Sequence, residues 1–163
     1  MLAPTGKVLM AGRIVTEIEI NASADRVWHV LTDFAFYPKW NPFIRRISGS
    51  PIVGSRIETF IQPPGGRGMR FKPTVLAFAP SHELRWLGRL LVRGIFDGEH
   101  SFRIEPLTQE RVRFIQEERF SGILTFPPLF RLATRGAQEG FEAMNQALKH
   151  RAEAPEHSSP QSH

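Results

Sequence analysis

The end of the chain contains one long segment with helical periodicity, and it follows a series of short segments that alternate like strands. Pro127 and Pro128 open it, and proline is tolerated in the first turn of a helix. Apolar residues then recur every three or four positions along about five turns. They are Leu129, Ala133, Ala137, Phe141, Met144 and Leu148. Such a stripe has to be buried, so the preceding strands are expected to cover it.

Seven segments before this helix are predicted strands. In the first, Arg13–Ile20, Ile14 and Ile20 fall on the same face and alternate with polar residues such as Glu17 and Glu19. The other six are separated by turns rich in glycine, proline or serine. They cover residues 43–48, 56–61, 69–78, 83–92, 99–105 and 111–120. Their short connections favour an antiparallel sheet, because parallel pairing needs long crossovers.

A short helix is predicted directly after the first strand. Ser23 suits the N-cap, and Asp25 places a negative charge in the first turn, where the helix dipole favours it. Pro38 and Pro42 interrupt the pattern that follows. The sequence therefore predicts two short helices between the first two strands, followed by an aromatic, proline-broken corner.

The composition is that of one globular domain. The chain has 163 residues, of which 41% are hydrophobic and 23% charged. We expect a flexible leader over residues 1–11, the domain over 12–151 and a disordered tail over 152–163, which is rich in Pro, Ser and His. Cysteine is absent, which removes disulfides and thiolate chemistry and fits a cytoplasmic location.

Several functional classes receive no support from the sequence. The net charge of +5 comes from scattered arginines and favours no nucleic-acid partner. No apolar segment is long enough for an integral membrane span, and no secretory signal pattern is present. No phosphate-binding or dinucleotide-binding glycine motif, nucleophile elbow or metal-ligand spacing occurs. We therefore expect neither a cofactor nor a metal.

Several phrases of the sequence together resemble one superfamily. They are Ala24-Asp-Arg-Val-Trp28, Tyr37-Pro-Lys-Trp-Asn-Pro-Phe43, Glu83-Leu-Arg-Trp-Leu-Gly88, Gly98-Glu-His-Ser-Phe-Arg-Ile-Glu-Pro106 and Arg113-Phe-Ile-Gln-Glu-Glu-Arg-Phe-Ser-Gly122. In this order they resemble the START-like, or SRPBCC, superfamily and its polyketide cyclase/dehydrase-like branch. The resemblance implies an α+β helix-grip fold, in which a seven-stranded curved antiparallel sheet wraps around a long C-terminal helix and an apolar cavity. It does not imply one function, because a fold hosts many.

The last two strands bring polar residues onto an otherwise apolar face. Alternation places His100, Phe102 and Ile104 on the inner face of one strand. On the other strand the inner residues are Val112, Phe114, Gln116, Glu118 and Phe120. The short turn sets His100 directly opposite Gln116 or Glu118, with Cβ atoms about 5 Å apart. The opposite faces carry Glu99, Ser101, Arg103, Arg113, Glu117 and Arg119, which suit solvent.

Three roles are open for His100, Gln116 and Glu118. Buried polar groups need partners, so the three side chains can form a network that only fixes the strand register. They can instead bind the polar end of a ligand. A histidine beside a carboxylate can also act as a general base, which makes His100 and Glu118 the candidate catalytic residues.

Aromatic residues are the second indication of a site. Trp86 lies on the more apolar face of its strand, and Phe102, Phe120 and Phe141 would complete an apolar wall. The resemblance adds Trp40 and Phe43 near the cavity mouth. Two neighbouring features are ambiguous. The 63–72 loop is either a solvated hairpin tip or a lid, and Gly136 and Gly140 indicate either close packing or room for a ligand.

The leading hypothesis is a protein that binds a small apolar, aromatic or amphipathic molecule between the sheet and the helix. The second is an enzyme similar to polyketide cyclases, which uses the same polar residues for an aldol-type cyclisation or a dehydration. The third is a non-catalytic interaction protein whose core is filled by side chains. The chain is expected to be a monomer or a homodimer.

Overall fold

The computed structural model describes residues 12–90, 96–121 and 127–155. The elements in these ranges are β1 (Arg13–Ile20), α1 (Ala24–Thr32), a 3-10 turn (Phe34–Phe36), α2 (Tyr37–Trp40), β2 (Ile44–Ser48), β3 (Glu58–Ile61), β4 (Met69–Phe71), β5 (Thr74–Ala79), β6 (Glu83–Leu90), β7 (Phe96–Thr108), β8 (Arg111–Ser121) and α3 (Pro127–Glu153). The predicted α+β architecture is confirmed. The expected leader, residues 1–11, and residues 156–163 of the expected tail lie outside the described ranges.

The strands form two sheets in which every neighbouring pair is antiparallel, as the short connections predict. The larger sheet has five strands in the order β1-β8-β7-β6-β5, and the smaller has three in the order β2-β3-β4. An isolated bridge between Arg56 and Thr74 joins the two sheets. The central hairpin β7–β8 is the longest pairing, and it carries the residues that the sequence singled out.

The predicted count of seven strands is wrong in one place, within residues 69–78. The described chain has β4 and β5 there instead of a single strand, which makes eight strands. The break falls at Pro73, which has no N–H to donate to a ladder and is buried between the two strands. Its carbonyl oxygen accepts a hydrogen bond from the Ile57 amide at 3.0 Å. One strand therefore becomes two that belong to different sheets.

The two short helices predicted after β1 are present. Ser23 caps α1 by accepting a hydrogen bond from the Arg26 amide at 3.2 Å, and Asp25 lies in the first turn. Pro38 lies in the first turn of α2, where its missing N–H costs nothing. The Tyr37 hydroxyl donates to the Leu31 carbonyl at 2.6 Å, and burial raises the pKa of that hydroxyl. This contact holds α2 against α1.

Helix α3 packs its apolar stripe inward, as predicted. Phe141, Met144 and Leu148 are buried, whereas Glu139 and Glu142 are exposed. The side chains of Leu129 and Ala133 lie outside the described residues. The helix runs to Glu153, and Ala152 is buried, so the helix extends two residues into the segment expected to be tail. Among the described residues, no helix has the length and apolar character needed to cross a bilayer.

The outer face of the β7–β8 hairpin differs from the expectation that it would face solvent. Glu117 and Ser101 are buried there. Arg13 of β1 donates twice to the Glu117 carboxylate, from Nε at 2.8 Å and from Nη2 at 3.2 Å, and Arg119 Nε donates at 2.5 Å. These long side chains cover the shorter carboxylate. Their hydrogen bonds, above all that from Arg13, hold the pKa of Glu117 at about 2.

Candidate functional site

The inner face of the same hairpin carries a buried histidine paired with a carboxylate. His100 and Glu118 are directly opposite each other in the ladder, as the turn length predicts. His100 Nδ1 lies 2.5 Å from Glu118 Oε2, within the range of a charge-assisted hydrogen bond. The His100 side chain is 4% exposed and that of Glu118 is 13% exposed. His100 Nε2 has no hydrogen-bond partner among the described residues.

Aromatic rings enclose this pair. The His100 ring centroid lies 4.4 Å from that of Phe102, 4.8 Å from Phe141 and 5.6 Å from Trp86. Phe43 extends the cluster through an edge contact with Phe141 at 5.5 Å. The strand register produces the arrangement, because Trp86, His100 and Glu118 are successive partners across β6, β7 and β8. The imidazole is therefore held on several sides by apolar surface.

A mainly apolar pocket of about 180 Å³ lies beside the pair, between the sheets and α3. Its lining consists of Phe43, Thr59, Ile61, Pro63, Met69, Phe71, Pro73, Trp86, Gly88, Arg89, Gly98, His100, Glu118, Phe120, Ala137 and Phe141. Met69 is half exposed at the rim, so the pocket opens to solvent on the side of the smaller sheet. At the same rim, Arg89 Nε lies 3.8 Å from Asp97 Oδ1.

Six of the nine residues that the sequence proposes for ligand contact line this pocket. They are Phe43, Trp86, His100, Glu118, Phe120 and Phe141. Phe102 is fully buried behind His100 and supports its ring. Trp40 lies on α2 with its ring 5.0 Å from that of Tyr37, and it is absent from the pocket lining. Phe43 therefore lines the pocket, whereas Trp40 does not.

Gln116 belongs to a separate buried polar cluster instead of joining His100 and Glu118. It stands opposite Phe102 on one side and Thr16 on the other. Its Nε2 donates to Met144 Sδ at 3.3 Å, while Asn145 Nδ2 of α3 donates to Thr16 Oγ1 at 3.0 Å. The single three-residue network expected from the sequence is thus two clusters. Only the histidine–glutamate pair borders the pocket.

Two glycines clear the floor of the pocket, a feature that the sequence analysis missed. Gly88 of β6 and Gly98 of β7 are cross-strand partners, and both line the pocket. A methyl group on Gly98 would overlap the Glu118 carboxylate, whereas one on Gly88 would meet only the Gly98 carbonyl oxygen at 3.7 Å. The Glu118 side chain therefore lies across Gly98. The sequence could have indicated this feature, because the register that pairs Trp86 with His100 also pairs Gly88 with Gly98.

The structure describes the surroundings of Gly136, Gly140 and the 63–72 loop, which the sequence left ambiguous. A methyl group on Gly140 would overlap the Phe43 ring, so the glycine allows that ring to lie directly on α3. At Gly136 the nearest atom is Pro63 Cβ, 3.4 Å from where a methyl carbon would be. Close packing thus accounts for Gly140, whereas a methyl group at Gly136 would make an ordinary contact. Pro63 and Met69 nevertheless line the pocket, so the loop borders its mouth.

The titratable residues of the site do not form a metal centre. Among the described residues, no group of three or more histidine, aspartate or glutamate side chains could hold a metal ion. The polar side chains that line the pocket are the imidazole of His100, the carboxylate of Glu118, the hydroxyl of Thr59 and the guanidinium of Arg89. Such a set can accept a hydrogen bond, donate one, or move a proton.

Comparison with known proteins places the fold and the family. The family model described as polyketide cyclase/dehydrase and lipid transport matches residues 11–153. The chain therefore belongs to this family. The predicted helix-grip fold is confirmed by solved structures of similar fold. No match was found among curated proteins.

Three solved structures are similar in fold. The Zhui aromatase/cyclase from Streptomyces sp. R1128 has a TM-score of 0.71 and 15% identity, over 88% of this chain and 94% of that chain. A START superfamily protein from Mycobacterium smegmatis has a TM-score of 0.67 and 21% identity, over 86% and 97%. Norcoclaurine synthase from Thalictrum has a TM-score of 0.66 and 18% identity, over 87% and 94%. At these identities the likeness concerns the fold alone.

Proposed function

We propose that this protein binds a small, largely apolar molecule in the pocket between the sheets and α3, with its polar end at His100 and Glu118. The observation that carries the proposal is a buried imidazole that borders an apolar pocket and has one nitrogen without a partner. A buried polar atom without a partner costs free energy, and a ligand group can supply the missing hydrogen bond.

The volume of the pocket limits the size of the ligand, called the guest below. A dry cavity of about 150 Å³ is enough to hold benzene. The volume of about 180 Å³ therefore encloses one ring, and any larger part of the guest would extend past Met69 into the open mouth. The rings of Phe43, Trp86 and Phe141 suit an aromatic guest, because offset and edge contacts between rings are favourable.

The histidine–glutamate pair specifies the polar end of the guest. When Nδ1 donates to Glu118, a neutral His100 presents the lone pair of Nε2 as an acceptor. A hydroxyl or phenol group on the guest would donate to this nitrogen. The exposed part of the Glu118 carboxylate can accept a second hydrogen bond. We therefore infer that the guest carries at least one hydroxyl group.

The test compares two probes that differ by one hydroxyl, 2-naphthol and naphthalene, by isothermal titration calorimetry. We expect saturable binding of 2-naphthol with one site. His100→Ala should weaken 2-naphthol roughly tenfold, since a buried hydrogen bond contributes about 1–1.5 kcal/mol, and should change naphthalene much less. Equal affinity of the unsubstituted protein and of His100→Ala for 2-naphthol would reject His100 as a contact.

A second candidate function is an enzyme that resembles polyketide cyclases, and the His100–Glu118 distance favours it. In an aldol-type cyclisation, Nε2 would remove a proton from the carbon between two carbonyl groups. That carbon would then bond to the carbon of a more distant carbonyl group, whose oxygen becomes an alkoxide. The proton would return from Nε2 to this oxygen. Turnover of a linear poly-β-ketone into a cyclic product, abolished in His100→Ala, would support the enzyme over a simple binding protein.

The third hypothesis, a core filled entirely by side chains, has the least support. A filled core would leave no space between the sheets and α3, and the pocket of about 180 Å³ supports the other two hypotheses instead. If neither probe binds and the purified protein retains no small molecule, the filled core becomes the favoured hypothesis.

A further inference from the structure

The smaller sheet carries a second groove on the side opposite the pocket. Arg46 of β2, Phe60 of β3 and Arg70 of β4 are successive cross-strand partners, so the three side chains stand in one row on one face. Strands lie about 4.8 Å apart, which places the two arginine backbones about 10 Å apart with the ring between them. The groove has a volume of about 340 Å³, and Ser48, Glu58 and Thr59 complete its lining.

The groove and the pocket lie on opposite faces of β3. Ile61 lines the pocket, and Glu58 and Phe60, which alternate with it, line the groove. The buried Thr59 borders both cavities. Alternate side chains of a strand point to opposite faces. A ligand in the groove would therefore make no contact with His100 or Glu118, and the two sites can be tested independently.

The two arginines of the row form no ion pair among the described residues, although Glu58 lines the same groove. Arg46 and Arg70 are both exposed, and no carboxylate of the described residues forms an ion pair with either. Arg13, Arg85 and Arg111 on the larger sheet, by contrast, each lie within 4.0 Å of a glutamate oxygen. Two like charges that face one groove repel each other, and an anion between them would relieve that repulsion.

Phe60 supplies a fixed apolar surface between the charges. Its ring lies against Gly68, where any side chain would overlap it, so the absence of a side chain at Gly68 sets the position of the ring. The ring is only partly buried and forms part of the groove lining. A flat ligand ring can stack on it or meet its edge.

We propose that this groove binds a small aromatic phosphate, with the phosphate group between Arg46 and Arg70 and the aromatic ring against Phe60. A phosphate monoester carries about two negative charges at neutral pH, which match two guanidinium groups better than one carboxylate does. Guanidinium groups also offer paired N–H donors in the geometry of phosphate oxygens.

The test uses phenyl phosphate as the probe, at low salt, with calorimetry for affinity and amide chemical shifts for location. We expect saturable binding tighter than that of inorganic phosphate, with shifts on β2, β3 and β4. Arg46→Gln and Arg70→Gln should each weaken binding by on the order of tenfold, because each removes charge-assisted hydrogen bonds. Phe60→Leu should remove the preference for phenyl phosphate over inorganic phosphate.

Two controls separate this site from general attraction and from the pocket. Arg56→Gln removes the same charge from an exposed arginine outside the groove and should leave the affinity within about twofold. His100→Ala should also leave it unchanged. The proposal is overturned by an absence of saturable binding, by an equal loss in Arg56→Gln, or by shifts confined to the pocket.

Discussion

The two faces of the β7–β8 hairpin each bury a carboxylate, and they surround it very differently. On the outer face, Glu117 is contacted by Arg13, Arg119 and, at 3.9 Å, Arg103. On the inner face, Glu118 has His100 as its close partner among the described residues and borders a pocket. The side chain of Glu117 is 4% exposed and that of Glu118 is 13% exposed.

This difference separates a carboxylate whose hydrogen bonds are already made from one that we propose contacts a ligand. Glu117 accepts several charge-assisted hydrogen bonds, so it has little capacity left for a ligand. The inner pair leaves Nε2 of His100 unpartnered and part of Glu118 accessible. Burial alone therefore does not identify a site on this hairpin. Unused hydrogen-bonding capacity beside a pocket does.

The largest expected effect is on stability, from the outer carboxylate. Glu117→Gln should lower the free energy of unfolding by about 2 kcal/mol at pH 7, because it removes the charge that the arginines neutralise. The exposed guanidinium groups can still be hydrated, which keeps the loss moderate. The measurement is urea denaturation. Glu118→Gln is the matched control and should change stability less; an equal loss would make the inner pair structural as well.

The stabilisation that the Glu117 carboxylate contributes depends on pH. The folded protein lowers the pKa of Glu117 from 4.5 to about 2. The stabilisation is therefore fully present above pH 4.5 and is lost as the pH falls from there towards 2. The stability difference between the unsubstituted protein and Glu117→Gln should narrow over this interval. A difference that stays constant from pH 7 to pH 3 would contradict the assigned role of the charge.

A smaller effect, on affinity, is expected from the inner pair. His100→Ala and Glu118→Gln should each weaken 2-naphthol binding, His100→Ala by roughly tenfold and Glu118→Gln by less. If the carboxylate acts by orienting the imidazole, the double variant should bind no more weakly than His100→Ala alone. Additive losses would show that the two side chains contact the ligand independently. Glu117→Gln should not change the affinity.

The smallest effect is steric and concerns the floor of the pocket. Gly98→Ala would push against the end of the Glu118 side chain, which can move, so stability should change little. The displaced carboxylate should nevertheless weaken 2-naphthol binding by about threefold, since less than one full hydrogen bond is lost. Gly88→Ala adds the same methyl group beside the pocket without this overlap and is the control. Equal affinities of the two variants would mean that the position of Glu118 does not matter.

The pairing at the centre of the site could be predicted from the sequence, because a short turn limits the register. The residues between Pro106 and Glu110 leave few ways to pair β7 with β8, so His100 had to face Gln116 or Glu118. Alternation then assigned the inner faces correctly. The aromatic residues on those faces followed from the same rule.

The remaining features depend on contacts between distant segments. Glu117 is buried by Arg13, which lies 104 residues away in the sequence, and alternation assigns a face without showing what covers it. The Met69 wall of the pocket depends on the break at Pro73, which moves β4 into the smaller sheet. Trp40 was placed near the mouth by resemblance, but the turn at Phe34–Phe36 and α2 direct its ring to Tyr37.

The most direct test of the central claim is native mass spectrometry of the purified protein mixed with 2-naphthol, followed by denaturation to identify any molecule retained from the host. We predict a complex with one small molecule per chain, either 2-naphthol or a retained apolar compound, that is depleted in His100→Ala and preserved in Glu117→Gln. A protein that retains nothing, or binds equally in all three forms, would contradict a ligand site at the inner pair.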